Sequence, residues 1–186
     1  TTTEIRALQS DSSAALTSAQ FAGLTSKQVA ALTTNELQAL NIDQVRAITT
    51  SAISKLSSAQ ISVLSLDQFD SLTVQQIGAL NADQFMGVTS DDIQSLSSQQ
   101  IQAIATAAIS KLATSELSYF TTEEIAELST AQISALGMNQ LSSLSVDQIQ
   151  AFTRAQMGGL TKKQLNALTS VQAGNLTSQQ IQAIST

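Results

Sequence analysis

The sequence predicts an all-α solenoid, a superhelix of very short helices with one helix for each eight-residue repeat. Three observations carry this reading. A large apolar residue stands at every eighth position from Leu8 to Ile184, 23 of 23. Three residues earlier, at position 5 of the octad, a second large apolar residue occurs in 21 of 23 octads, with Ser13 and Ala173 as the exceptions. Position 1 is mostly Thr, Ser or Asn, while position 4 is Gln in 15 octads and Glu at Glu4, Glu36, Glu116 and Glu124. A strict repeat of fixed period decides architecture before local propensity does.

Each octad position has a physical reading. In a strand, positions 5 and 8 would point to opposite faces, because their spacing is odd. In one long helix the apolar stripe would drift by about 80° per octad, so no partner could bury it. Short helices satisfy every position. Thr at position 1 becomes the N-cap and Gln or Glu at position 4 becomes N3, which is the capping box. The apolar residue at position 8 of the preceding octad then falls at N′ and the one at position 5 at N4, a hydrophobic staple. The chain therefore restarts a helix every eight residues, and each helix is about five to seven residues long. Such helices are unstable alone, so neighbouring turns must bury positions 5 and 8. A small residue at position 7 lets helices approach.

This phase assigns Leu24, Val29, Leu32, Leu56, Ile61, Leu64, Ile101, Leu136 and Leu168 to the core. It pairs Thr25 with Gln28, Thr33 with Glu36, Ser57 with Gln60, Thr121 with Glu124 and Thr161 with Gln164 as caps. Residues 1–186 read as one array cut from a longer protein. Weak repeats lie near 9–16 and 169–176, where the ends are expected to fray. The stretch 97–120 has irregular caps: Ala105 and Ala113 replace the cap residue and Ala108 replaces the Gln. A merged helix, or a cap shifted to Thr106 or Thr114, is expected there. Apolar residues at position 2 include Ile42, Leu66 and Met138, separated by multiples of 24. Three octads per superhelical turn would explain that spacing.

Composition narrows function. The net charge is −6 and only 12% of residues are charged, so no basic patch suits nucleic acid. The chain has no His and no Cys, which removes imidazole and thiolate metal sites and the commonest general base. No cofactor is expected. No apolar run reaches the roughly 20 residues of a membrane span. The acidic groups Glu123, Glu124 and Glu127, Asp91-Asp92, and Asp67 with Asp70 lack the glycine-containing spacing of a calcium loop and read as solvated faces. Lys162-Lys163 fall on exposed positions. Asn175-Leu176-Thr177 is a formal glycosylation triplet. The Gln row could line a recognition surface, but capping already explains its place. Tyr119 and Phe120 are the only adjacent aromatic pair. No base is present to activate a Ser or Thr, so an enzyme is not expected.

The runs Leu24-Thr25-Ser26-Lys27-Gln28-Val29-Ala30-Ala31-Leu32 and Leu176-Thr177-Ser178-Gln179-Gln180-Ile181-Gln182-Ala183 resemble the LTxxQIxAL arrays of very large bacterial surface or secreted proteins of adhesin type. The resemblance covers essentially the whole chain. Some proteins of this kind carry a haem utilisation or adhesion label, which finds no residue to support it here. The resemblance implies a stalk or spacer in an extracellular or cell-surface protein. Its partners would be flanking repeats or domains, and it supplies no active-site residues. The alternative is a scaffold that binds a peptide, protein or glycan through the solenoid surface.

Overall fold

The computed structural model describes residues 16–184, and among them the chain is all helical. The weak repeat at residues 9–16 lies outside this range except for Leu16. The chain divides into two compact units, Thr1–Leu96 and Ser97–Thr186, with the octad phase unchanged between them. The first unit contains α1 (Ser18–Ala22), α2 (Ser26–Val29), α3 (Thr34–Gln38), α4 (Ile42–Ala47), α5 (Thr50–Ile53), α6 (Ser58–Ile61), α7 (Leu66–Asp70), α8 (Val74–Ala79), α9 (Ala82–Phe85) and α10 (Ser90–Ser95). The second contains α11 (Ser98–Ala103), α12 (Thr106–Ile109), α13 (Thr114–Leu117), α14 (Thr122–Glu127), α15 (Thr130–Ser134), α16 (Met138–Ser143), α17 (Val146–Gln150), α18 (Arg154–Gly158), α19 (Lys162–Leu165), α20 (Ser170–Gly174) and α21 (Ser178–Ile184). These helices are four to seven residues long, one per octad.

Each helix starts where the capping signal places it. Thr25 has extended backbone (φ −71°, ψ 156°), its hydroxyl accepts from the Gln28 N–H, and the Gln28 side chain caps the Thr25 N–H in return. Helices end as the residue at position 8 swings to extended backbone, as at Ile48 (φ −61°, ψ 123°) and Leu80 (φ −69°, ψ 138°). Two successive extended residues, positions 8 and 1, make the corner. No described residue has positive φ, so the corner needs no glycine.

The stretch 97–120 keeps this phase. α12 begins after Ala105 and α13 after Ala113, with no side-chain cap at either alanine. The expected merged helix or shifted cap does not occur. A cap is worth about 1 kcal/mol. Burying the two large side chains of an octad is worth roughly 3–6 kcal/mol. Packing therefore holds the register when the hydroxyl is lost. Glu116 still supplies half of the box, accepting from the Ala113 N–H at 2.7 Å.

Within each unit, every helix packs on the helix three places along: α1 on α4, α5 on α8, α7 on α10, α11 on α14 and α18 on α21. Position 5 is 2% exposed or less in every octad from Phe21 to Met157. Position 8 is buried from Leu32 to Leu160. Of the residues assigned to the core, Val29, Leu32, Leu56, Ile61, Leu64, Ile101 and Leu136 are buried, while Leu24 and Leu168 are half-buried. The apolar residues Ile42, Leu66 and Met138 at position 2 are exposed.

Position 7 is tight in only some turns. A Cβ on Gly87 would overlap the Ser58 carbonyl oxygen and stand 3.2 Å from the Ser62 nitrogen. At Gly159 the obstacle is the Thr130 methyl, which can rotate away, with Ser134 Oγ at 3.3 Å. Backbone cannot yield as a rotamer does. Gly87→Ala should therefore cost about 1–3 kcal/mol by thermal or urea unfolding, with Gly159→Ala costing clearly less. Equal losses would contradict this close approach.

Candidate functional site

The chemistry of the chain is concentrated in one row, position 4. From Gln44 onward its Gln side chains are buried, including Gln44 (1% exposed), Gln76 (2%), Gln132 (1%) and Gln180 (2%). A buried primary amide must satisfy an acceptor and two donors. These do so by reaching two helices at once.

The oxygen end works locally. Gln132 Oε1 accepts from the Ser129 N–H at 2.7 Å and from the Ser129 hydroxyl at 2.9 Å. The nitrogen end works across the superhelix. Gln132 Nε2 donates to the carbonyls of Ile101 and Ile104, both at 2.8 Å, which lie 31 and 28 residues back. Gln68 repeats this with Leu37 at 3.0 Å and Leu40 at 2.7 Å, and Gln156 with Ile125 at 2.9 Å and Leu128 at 2.6 Å. Gln60 and Gln164 pair the position-8 carbonyl with the position-6 carbonyl instead (Ala30 at 3.2 Å, Ser134 at 3.0 Å). Only one amide orientation fits, because a flipped group would set its oxygen against two carbonyls.

The arrangement answers a problem peculiar to short helices. The last four carbonyls of any helix lack an internal partner, and in a four- to seven-residue helix that is most of them. Each of these bridging Gln side chains caps the N-terminus of its own helix with Oε1. With Nε2 it caps the C-terminus of a helix in the preceding turn. Inter-turn bonds reach back 28–31 residues, and others reach 25, as from Ser134 Oγ to the Gly159 carbonyl. With helices packing three places apart, one turn holds between three and four octads, more than the three suggested by position 2.

The row is therefore interior and does not line a recognition surface. The paired caps Thr25/Gln28, Thr33/Glu36, Ser57/Gln60, Thr121/Glu124 and Thr161/Gln164 all form both halves of the box. In the 169–176 octad, Thr169 and Gln172 also form the box, and Gln172 Nε2 bridges to Leu141 at 3.0 Å and Leu144 at 2.7 Å. What this octad lacks is the apolar anchor, since Ala173 is exposed.

Asp92 occupies the row with a shorter side chain. Its carboxylate accepts from the Thr89 N–H at 2.9 Å and hydroxyl at 2.7 Å, but it offers no donor to the preceding turn. In the octad register the carbonyl that goes unserved is that of Leu64, while that of Ile61 keeps only the Leu64 N–H at 3.1 Å. Asp92→Gln supplies that donor and should stabilise the chain by about 1 kcal/mol, read as a raised denaturation midpoint. A neutral or destabilising result would contradict the bridging role.

The other candidates stay apart. Glu124 is buried as a cap, while Glu123 and Glu127 are exposed. Hydrogen bonding to backbone and to the Thr122 hydroxyl (2.9 Å) holds the exposed Glu123 carboxyl below the ordinary carboxylate range. Asp91, Asp67, Asp70, Lys162 and Lys163 are exposed. Among the described residues, no three acidic side chains converge. Phe120 is 2% exposed, and all five Phe are in the core, so the Tyr119–Phe120 pair presents no aromatic patch. No helix of the described residues is long and apolar enough to cross a membrane.

No curated protein matches the chain. The ALTTAQ repeat family matches residues 37–74 and 125–162. Its six letters read as positions 7, 8, 1, 2, 3 and 4 of the octad. The chain is thus a repeat protein, similar in those two stretches to the ALTTAQ repeat.

Proposed function

We propose that the array is a structural segment, a stalk or spacer that carries flanking domains of a larger bacterial surface or secreted protein of adhesin type. The observation that carries this reading is where the polar groups go. The recurrent Thr, Ser and Gln side chains are consumed in capping and in bonds between turns. Positions 2, 3 and 6 face outward, and no residue recurs there in a way that a ligand could read. Binding hot spots favour Trp, Tyr and Arg; here there is no Trp, one Tyr, and every Phe is buried. A non-enzymatic role is part of this reading, supported by a chain with no His and no Cys.

A second reading, a scaffold that binds a protein or glycan, draws on one feature. Two shallow depressions recur at equivalent octad positions, one beside Gln38, Asn41, Ile42 and Asp67, the other beside Ser110, Thr114, Met138 and Asn139. The two readings separate in one experiment. In the parent protein, positions 2, 3 and 6 throughout the array are exchanged for other polar residues, with 1, 4, 5 and 8 kept. A stalk should still present its flanking domains. Loss of attachment with the helical spectrum intact would overturn the stalk reading in favour of the scaffold.

A further inference from the structure

We propose that two copies of this chain dock side to side, the acidic seam between α4 and α7 of one copy receiving the basic first turn of α19 of the other. The inference stands on exposed side chains within each unit and does not depend on the stalk role. In the first unit, α4 packs on α7. Both helices open with an aliphatic residue and a carboxylate, Ile42-Asp43 and Leu66-Asp67, at positions 2 and 3 of octads 24 residues apart. Ile42 is 44% exposed, Leu66 is 47% exposed, and both aspartates are exposed. Asp43 and Asp67 line one shallow depression together with Gln38, Asn41 and Ser65. Among the described residues, no other two helices that pack together both open this way. The patch is thus a local departure from the repeat and not one of its rows.

The second unit carries the complement on the same octad positions. There α16 packs on α19. Met138, 57% exposed, opens α16, and the exposed Lys162 and Lys163 open α19, again 24 residues on. A carboxylate suits the first turn of a helix and an ammonium does not, so α19 itself gives no reason for the lysine pair. Among the described residues, Asp43, Asp67, Lys162 and Lys163 enter no ion pair. The sequence is polarised in the same sense. Residues 35–96 hold seven acidic and two basic residues, and residues 129–186 hold one acidic and three basic. This asymmetry lets a chain of net charge −6 approach its own copy in one orientation. Two ammonium groups on flexible stems enter a depression walled by two carboxylates, and Met138 is set against Ile42 and Leu66. The two faces differ, so the contact is heterologous. Exposed ion pairs contribute little each, so the association is weak and sensitive to salt.

The test uses sedimentation velocity and light scattering on the 186-residue chain. At low salt the weight-average mass of wild-type protein should rise about 1.5-fold or more as concentration approaches about 1 mM, the weak end of specific association. The rise should vanish near 1 M salt, where the screening length falls to about 3 Å. One variant carries Asp43→Lys with Asp67→Lys, and a second carries Lys162→Glu with Lys163→Glu. Each alone should stay monomeric with a wild-type helical spectrum, because its two faces now repel. A mixture of the two should associate, since each face then meets its opposite. Alanine at the same positions serves if a reversed charge disturbs folding, and should weaken association in each variant. A monomeric wild type across the range would overturn the proposal and leave the acidic seam to a cationic partner of another kind. Association that survives charge reversal or 1 M salt would overturn it too, as would a mixture that stays monomeric.

Discussion

Gln132→Met should destabilise the protein by about 3 kcal/mol or more, although the replaced side chain is neutral and the new one is of similar length. The substitution keeps the volume of a side chain that is 1% exposed and removes all its hydrogen bonds. It leaves the Ser129 N–H and the Ile104 carbonyl without a partner, and takes one of two hydrogen bonds from the Ile101 carbonyl, which keeps the Ile104 N–H at 3.2 Å. Each buried polar group so orphaned costs about 1–3 kcal/mol. Gln132→Glu separates the two ends of the amide. The carboxylate keeps the cap on Ser129 but sets a negative oxygen against the two carbonyls. Its loss should fall below that of Met by about the 1 kcal/mol of a cap. If Glu were as good as Gln, the local cap would be the whole role of position 4. Urea titrations of the three proteins decide this.

Ile149→Ala should cost about 2–5 kcal/mol, the usual range for emptying a packed aliphatic site. Ile181→Ala should cost under about 1 kcal/mol, as expected where most of the side chain stays in water. Both are isoleucines at position 5 of helices that begin with a capping residue and contain a bridging Gln. They differ in cover: Ile149 is 1% exposed and Ile181 is 52% exposed. The comparison holds chemistry constant and varies only the following turn. Measured on dilute protein, equal losses would mean that position 5 is buried by its own octad and not by its neighbour.

Much of this arrangement was legible in the sequence, because the helix-start signal is local. Thr25 and Gln28 are three residues apart, and their reciprocal bonds need nothing else from the fold. The core positions followed from the same phase. What the sequence reading missed was the second end of the glutamine. Its acceptors lie 28–31 residues back, three and a half octads or more, and an eight-residue period contains no sign of how many octads close a turn. One signal was present. A capping box is satisfied by Glu as well as by Gln, yet Gln outnumbers Glu at position 4 by 15 to four. That bias marks a site that needs a donor as well as an acceptor. The expectation at Ala105 and Ala113 failed for a related reason. It weighed the cap against nothing, whereas buried side chains from neighbouring turns outweigh it and keep α12 and α13 in phase.

The central claim is that glutamine amides tie successive turns together. Hydrogen exchange of the side-chain amides, followed by ¹⁵N-resolved NMR on the folded chain, reads it directly. The Nε2 protons of Gln68, Gln76, Gln132, Gln156 and Gln180 should exchange slowly, as groups locked to buried carbonyls. Those of Gln38 and Gln75, exposed glutamines outside the row, should exchange at nearly the rate of a free amide. Fast exchange at all seven, in a chain that keeps its helical spectrum, would mean that the turns are held by apolar packing alone and that the bridges do not exist in solution.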